Sequence, residues 1–206
     1  MLVTPLPAGL SCGDHRGDGA TMNSSPSKVT IHMASSLDFF IAKKDGSVSW
    51  METSDSYDKG VNAVTAEGVE EFLKTIDCYV MGSRTYELAL KLGWPYGDTP
   101  TIVLSHRALQ DDRKSVAFYA GDVSRLVNNR LKPRYKNIWL VGGAMLAKEF
   151  IRLNLADDIR IVIMPIILGD GTLFVDHVGQ EHPLHLKDVT AYKNGLVELW
   201  YEIRKE

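Results

Sequence analysis

The stretch IWLVGGAMLAKEF, residues 138–150, decides the fold. Ile138, Trp139, Leu140 and Val141 form an unbroken apolar run that reads as a buried strand. Ala144, Leu146, Ala147, Phe150 and Ile151 then recur at helical spacing. Gly142 and Gly143 between them make a strand-to-helix turn without side chains. Such a turn either solves a tight bend or lets a ligand approach the backbone closely. A helix opening there offers unpaired amides and a partial positive charge, which suits phosphate. The spacing is not G-x-G-x-x-G, so a standard Rossmann dinucleotide site is not indicated.

Working outward, VTIHMA (29–34) alternates and reads as a first strand, followed by a loop, SSLDFFIAKKDGSVSW. Thr65 can cap a helix through Val69, Phe72 and Leu73, with Glu67 and Glu70 in its first turns. CYVMG (78–82) is a buried strand, SRTYELALKL a helix ended by Gly93 and Pro95, and TIVLS (101–105) and SVAFYA (115–120) are strands. Asp122 or Ser124 starts a helix that Pro133 stops. Residues 158–168 form a long strand broken at Pro165, and GDGTLF is a turn. Two period-2 segments around Lys193-Asn194-Gly195 close the chain as a hairpin, because Asn-Gly favours the tight turn. Strands alternating with helices, then an antiparallel pair, predict a single α/β domain over 28–206. Its sheet is mixed, mostly parallel and flanked by helices.

The chain has 206 residues, 45% hydrophobic and 24% charged, as in an ordinary globule with a sizeable core. A net charge of −3 argues against a nucleic-acid partner. No apolar run approaches the ~20 residues of a membrane span. Cys12 and Cys78 make no disulfide framework, no Cys/His cluster has zinc spacing, and a cytoplasmic setting is expected. Residues 1–27 are rich in Pro, Gly, Ser and Asp and read as a disordered leader, with Met22 as a second potential start.

In parallel sheets, ligands gather at the carboxyl ends of strands. Here those ends carry small or polar residues. Gly82, Ser83, Arg84 and Thr85 turn one strand into a helix, and a forked guanidinium and a hydroxyl there suit phosphate. Ser105, His106 and Arg107 follow another strand. Each segment alone also fits a capped helix or a solvated loop. Three together suggest a phosphorylated dinucleotide such as NADPH, whose 2′-phosphate needs additional cations.

The order SLDFFIA, VMGSRTYE, IVLS, WLVGGAMLAKEFI, PIILGDGTLF resembles the dihydrofolate reductase superfamily. Within it, the chain is most similar to the riboflavin-biosynthesis reductase domain, the RibD C-terminal type, over residues 29–204. The resemblance implies about eight strands, NADPH across their ends, and hydride transfer to a pteridine- or aminopyrimidine-like heterocycle. It places Gly142 and Gly143 beside the cofactor diphosphate, with Val141 before them and Ala144, Met145 and Leu146 as the helix N-terminus. Thr85 matches a phosphate-binding threonine, Ser105 a residue near the 2′-phosphate, and Ala34 and Ile41 residues around the nicotinamide. Ser36, Phe40 and Trp50 fall on the substrate side, where Trp50 is either a contact or an aromatic anchor.

Two departures from the family pattern stand out. Ser83 takes the place of the arginine usual after the strand glycine, and Arg84 follows. Phe39 takes the place of a loop glycine, and a phenylalanine resists positive φ, so an altered loop is expected. Two carboxylates are candidate proton donors. Glu67 lies near the helix position of the dihydrofolate reductase acid and also reads as a solvated charge. Asp38 matches the aspartate of the riboflavin-type loop, where burial beside an apolar ring would raise its pKa. The leading expectation is an NADPH-dependent reductase similar to 5-amino-6-(5-phosphoribosylamino)uracil reductase. The alternatives are a catalytically silent nucleotide-binding module and a dihydrofolate reductase. Related domains pair as dimers, so Val197, Leu199 and Tyr201 of the closing hairpin face either a core or a twin subunit.

Overall fold

The computed structural model describes residues 26–62 and 66–205. Six parallel strands are built as expected: β1 (Lys28–Ser35), β3 (Cys78–Gly82), β4 (Thr101–Leu104), β5 (Val116–Tyr119), β6 (Asn137–Gly142) and β7 (Asp158–Ile163). The hairpin of β9 (Leu184–Ala191) and β10 (Val197–Ile203) adds two antiparallel strands beside β7. Its turn uses Gly195 at φ +79°, a conformation glycine adopts without steric cost. The order across the eight-stranded sheet is β5-β4-β3-β6-β1-β7-β10-β9.

Helices cover both faces. α3 (Val123–Leu126), which continues through a wider turn to Leu131, and α4 (Ala144–Arg152) lie over Val29, Ile31, Val80 and Leu140. Leu140 and Phe150 are fully buried there, each adding about 1.5–3 kcal/mol of transfer free energy. On the other face, α1 (Ala66–Lys74) and α2 (Ser83–Lys91) bring Phe72, Leu73 and Tyr86 against Tyr79 and Trp139. Asp122 caps α3 by accepting the Arg125 amide at 2.7 Å. The expected cap Thr65 lies outside the described residues.

The structure departs from the sequence reading in two places. The loop after β1 contains a short strand, β2 (Phe40–Ala42), which pairs with β8 (Thr172–Leu173) in a separate two-stranded ribbon. The long strand expected over 158–168 ends at Ile163, before Pro165, which has no amide to offer a ladder. In the hairpin, Leu199 packs against the main core, while Leu184, Leu186 and Val189 of β9 stay exposed.

Candidate functional site

Because β4, β3, β6 and β1 are parallel neighbours, their carboxyl ends form one continuous rim. Of the expected cofactor residues, Ala34, Gly82 to Thr85, Ser105 and Val141 to Met145 lie at or just beyond these strand ends, whereas Ile41 sits on the separate strand β2 and Leu146 packs inward. At the centre of the rim the chain has no side chains. A Cβ built on Gly82 would lie 3.8 Å from the Gly142 carbonyl oxygen and 3.9 Å from the Gly143 nitrogen. One built on Gly143 would lie 3.7 Å from Thr85 Oγ1. Gly142, at φ +125°, has no room at all, since a Cβ there would meet Met33 Sδ at 2.9 Å. The Gly142–Gly143 peptide is cis.

Two helices start at this point. Gly82 is the N-cap of α2 and Gly143 the N-cap of α4, and neither helix has a capping side chain or a first-turn acid. The first amides of both helices are therefore left for an incoming acceptor, and both dipoles bring positive potential to one spot. Thr85 Oγ1 lies between them. Met145 is 83% exposed beside the α4 N-terminus, whereas Leu146 turns inward onto the core.

A bulge in β6 sets the two helix starts level. The β3–β6 register runs Val80↔Leu140 and then Met81↔Gly142, so Val141 is one residue extra.

The outlying cations differ in availability. Arg84 is exposed and has no ion-pair partner among the described residues. Arg107 is paired with the half-exposed Glu87 at 2.8 Å. Ser105 closes its own turn, with Oγ accepting the Arg107 amide at 2.9 Å. His106 is exposed beside it.

The loop after β1 is tied down rather than open. Ser36 is fully buried, donates to Asp38 Oδ1 at 2.5 Å and accepts the Phe40 amide at 3.0 Å. Its hydroxyl is thus committed to the loop and not to a substrate. Asp38 also accepts the amides of Leu168 (3.0 Å) and Gly169 (2.7 Å). The Ser36 hydroxyl, followed by these amides, holds its pKa below the ordinary value. The expected upward shift is therefore corrected: Asp38 is an ionised acceptor, not a poised acid. Phe39 does adopt positive φ, at +62°, so the loop keeps the conformation a glycine would give it. Phe40 is half-buried in the β2–β8 ribbon, and Ile41 packs on the main core. The backbone of Glu67 lies in the first turn of α1, and its side chain lies outside the described residues.

Ala34, 6% exposed, lies under Trp50 in a small cluster with Val162 and Tyr192. Trp50 is itself 4% exposed, and its buried indole nitrogen has no partner among the described residues. It lines a cleft of about 560 Å³ with Glu52, Asp55 and Met164. This cleft lies at the carboxyl end of β7, beside the end of β1.

Residues 27–197 match the family model of the RibD C-terminal domain. This chain belongs to the RibD C-terminal domain family. It is similar to the uncharacterized protein YwjB of Bacillus subtilis, 31% identical over 179 residues covering 84% of this chain and 97% of that protein. It is also 27% identical to YyaP of the same organism over 194 residues, covering 88% and 97%. Among solved structures, a riboflavin-biosynthesis-type protein from Shewanella sp. PV-4 superposes with a TM-score of 0.73 at 21% identity, over 86% of this chain and 99% of that one. The pyrimidine reductase-like protein of Corynebacterium diphtheriae gives 0.61 at 15% identity, over 87% and 93%. The bifunctional deaminase/5-amino-6-(5-phosphoribosylamino)uracil reductase of Thermotoga maritima gives 0.61 at 17%, over 87% of this chain and 57% of that enzyme. The fold of this RibD C-terminal domain is accordingly dihydrofolate reductase-like.

Sequence reasoning missed several contributors. Met33 lies under Gly142, and the backbone of Leu168 and Gly169 anchors Asp38. A buried cluster on β1, β7 and β10 was also unforeseen. There Arg160 meets Glu198 at 2.6 Å, and Tyr192 donates to the same carboxylate at 2.9 Å. His32 Nε2 lies 3.9 Å from Glu198, but burial, aided by Arg160, pushes the His32 pKa down to about 3. The ring is therefore neutral, and this contact is not an ion pair. The signal available in sequence was polar residues at period 2 inside apolar strands.

Proposed function

We propose that this RibD C-terminal domain is an NADPH-dependent reductase of a flat nitrogen heterocycle, of the pteridine or aminopyrimidine class. The observation that supports it most is the meeting of two uncapped helix N-termini over Gly82, Gly142 and Gly143. That cradle is bare, positively polarised and flanked by the Thr85 hydroxyl, which fits a diphosphate. Arg84, exposed and unpaired at the same rim, fits the additional 2′-phosphate of NADPH over NADH. The coenzyme, when bound, supplies the hydride. The chain's part is to orient both partners. Ala34 and the end of β1 would form the floor beneath the nicotinamide. The Trp50 indole N–H would give a heterocycle in the neighbouring cleft a hydrogen bond.

Asp38 acts on this site by position. It fixes the loop after β1 against the segment after β7, so that Trp50 and Met164 line one cleft. Its lowered pKa leaves the proton to come from water in that cleft.

Its relationship to the uracil-reductase structures favours an aminopyrimidine over dihydrofolate as substrate. A second reading, a coenzyme-binding module without turnover, gains from the committed state of Asp38. Both readings meet in one pair of measurements. NADPH fluorescence titration reports binding, and loss of absorbance with aminopyrimidines and pterins reports turnover. Binding with turnover supports the reductase, and binding alone supports the module. Absence of NADPH binding, or Gly143→Asp protein that binds as tightly as the parent, refutes the cradle.

A further inference from the structure

The sheet has a second cleft at its other end. Lys28 and Asp158 begin β1 and β7, and beside them lies a cavity of about 360 Å³ between the sheet and α1. From Lys28 to Ala34 is about 20 Å of strand, so this cleft is remote from the glycine rim.

Its walls are aromatic. Trp139 stacks on His32 at 4.5 Å and meets the edge of Phe72 at 5.6 Å. Trp200 forms the other side, with the Arg160 guanidinium 4.8 Å from its ring centre. The floor holds an incomplete polar pair. The Asp158 side chain is 2% exposed, and its Oδ2 accepts from Trp200 Nε1 and Lys187 Nζ, both at 3.1 Å. Its buried Oδ1 finds no donor among the described residues. Two residues along the same face of β7, Arg160 Nε is buried without an acceptor, although the terminal nitrogen of that guanidinium holds Glu198. Buried polar atoms are nearly always paired, so an unpaired acceptor and an unpaired donor two residues apart beside one aromatic slot point to an absent polar partner.

We infer that this cleft is a second ligand site, for a flat heterocycle carrying an N–H donor and a carbonyl acceptor on one edge, as in a pyrimidinone. The N–H donates to Asp158 Oδ1, the carbonyl accepts from Arg160 Nε, and the ring lies against the indoles. This inference goes beyond the reductase reading and does not depend on it.

The test is an NMR titration of the full chain with 2-aminopyrimidin-4-one, using 1,3-dimethyluracil, which lacks an N–H donor, as control. The aminopyrimidinone is expected to shift the indole N–H resonances of Trp139 and Trp200, with a dissociation constant below about 1 mM. The control is expected to bind at least about tenfold more weakly. Gly143→Asp, at the opposite rim, is expected to leave this binding unchanged. Thr30→Trp, at the cleft wall, is expected to abolish it. Should that variant fail to fold, the wild-type indole shifts still locate the ligand. Equal binding of the two probes, shifts confined to Trp50, loss of binding in Gly143→Asp, or no binding would each overturn the site.

Discussion

Asp38 pins Gly169, its Oδ2 accepting the Gly169 amide at 2.7 Å across 131 positions of sequence. With the Leu168 amide and the Ser36 hydroxyl on Oδ1, this one carboxylate joins the two loops that frame the Trp50 cleft. Asp38→Asn turns an amide N–H₂ toward backbone donors or gives up one of them, so Tm is expected to fall by several degrees. The pH sign follows from the lowered folded pKa. The stabilisation is complete above the ordinary value of 3.8 and is lost as pH falls below it. Thermal unfolding in acid buffers, with the Asn variant lacking that loss, checks this.

Phe39 stands at φ +62° and is 46% exposed as a residue, so strain is set against little burial. Phe39→Gly is expected to stabilise the fold by about 1 kcal/mol. Urea unfolding should show a higher midpoint at unchanged slope.

Gly142 and Gly143 are adjacent yet tolerate substitution differently. Gly142→Ala combines φ +125° with a contact to Met33 Sδ at 2.9 Å, and is expected to cost about 2–4 kcal/mol. Gly143→Ala meets only Thr85 Oγ1 at 3.7 Å, and is expected to change stability by less than about 1 kcal/mol. Any loss of NADPH affinity in folded Gly143→Ala then reports on the cradle itself. Paired denaturation and fluorescence titrations separate the two effects.

Among the described residues Arg84 has no ion-pair partner, whereas Arg107 is bound to Glu87 at 2.8 Å. Arg84→Glu is expected to weaken NADPH about tenfold or more and NADH far less. Arg107→Ala is expected to do little to either. Equal losses for both coenzymes in Arg84→Glu would place the 2′-phosphate elsewhere.

His32 gives the fold a second acid sensitivity. Its folded pKa of about 3 lies below the ordinary 6.5, so the unfolded chain takes up the proton first as pH falls. Between those values, stability is expected to drop by about 1.4 kcal/mol per pH unit. His32→Phe should flatten that slope, as read from urea midpoints at a series of pH values.

The strand–glycine–helix unit at 138–150 is legible because the apolar pattern changes period across two residues that cannot hide a side chain. The hairpin is equally legible, since alternation and Asn-Gly agree. β2 and β8 are too short to show a period, and they exist because Phe40 and Leu173 find each other across the chain. The role of Asp38 is unreadable for a related reason, as its partners are backbone amides of distant residues. Phe39 shows a tertiary context overriding local preference. The ring of hydrogen bonds around Ser36 fixes the turn, and the phenylalanine conforms. His32, Arg160 and Trp200 each look like single exceptions within a strand. Only the register, His32↔Arg160 and Arg160↔Trp200, reveals them as one row.

The surplus residue at Val141 works like a shim between two otherwise matched rails. Were it paired with Met81 instead of bulged out, Gly142 would fall opposite Gly82, and the α2 and α4 openings would be offset by a step, their fields aimed past one another. Counting, as much as chemistry, is inherited at this position.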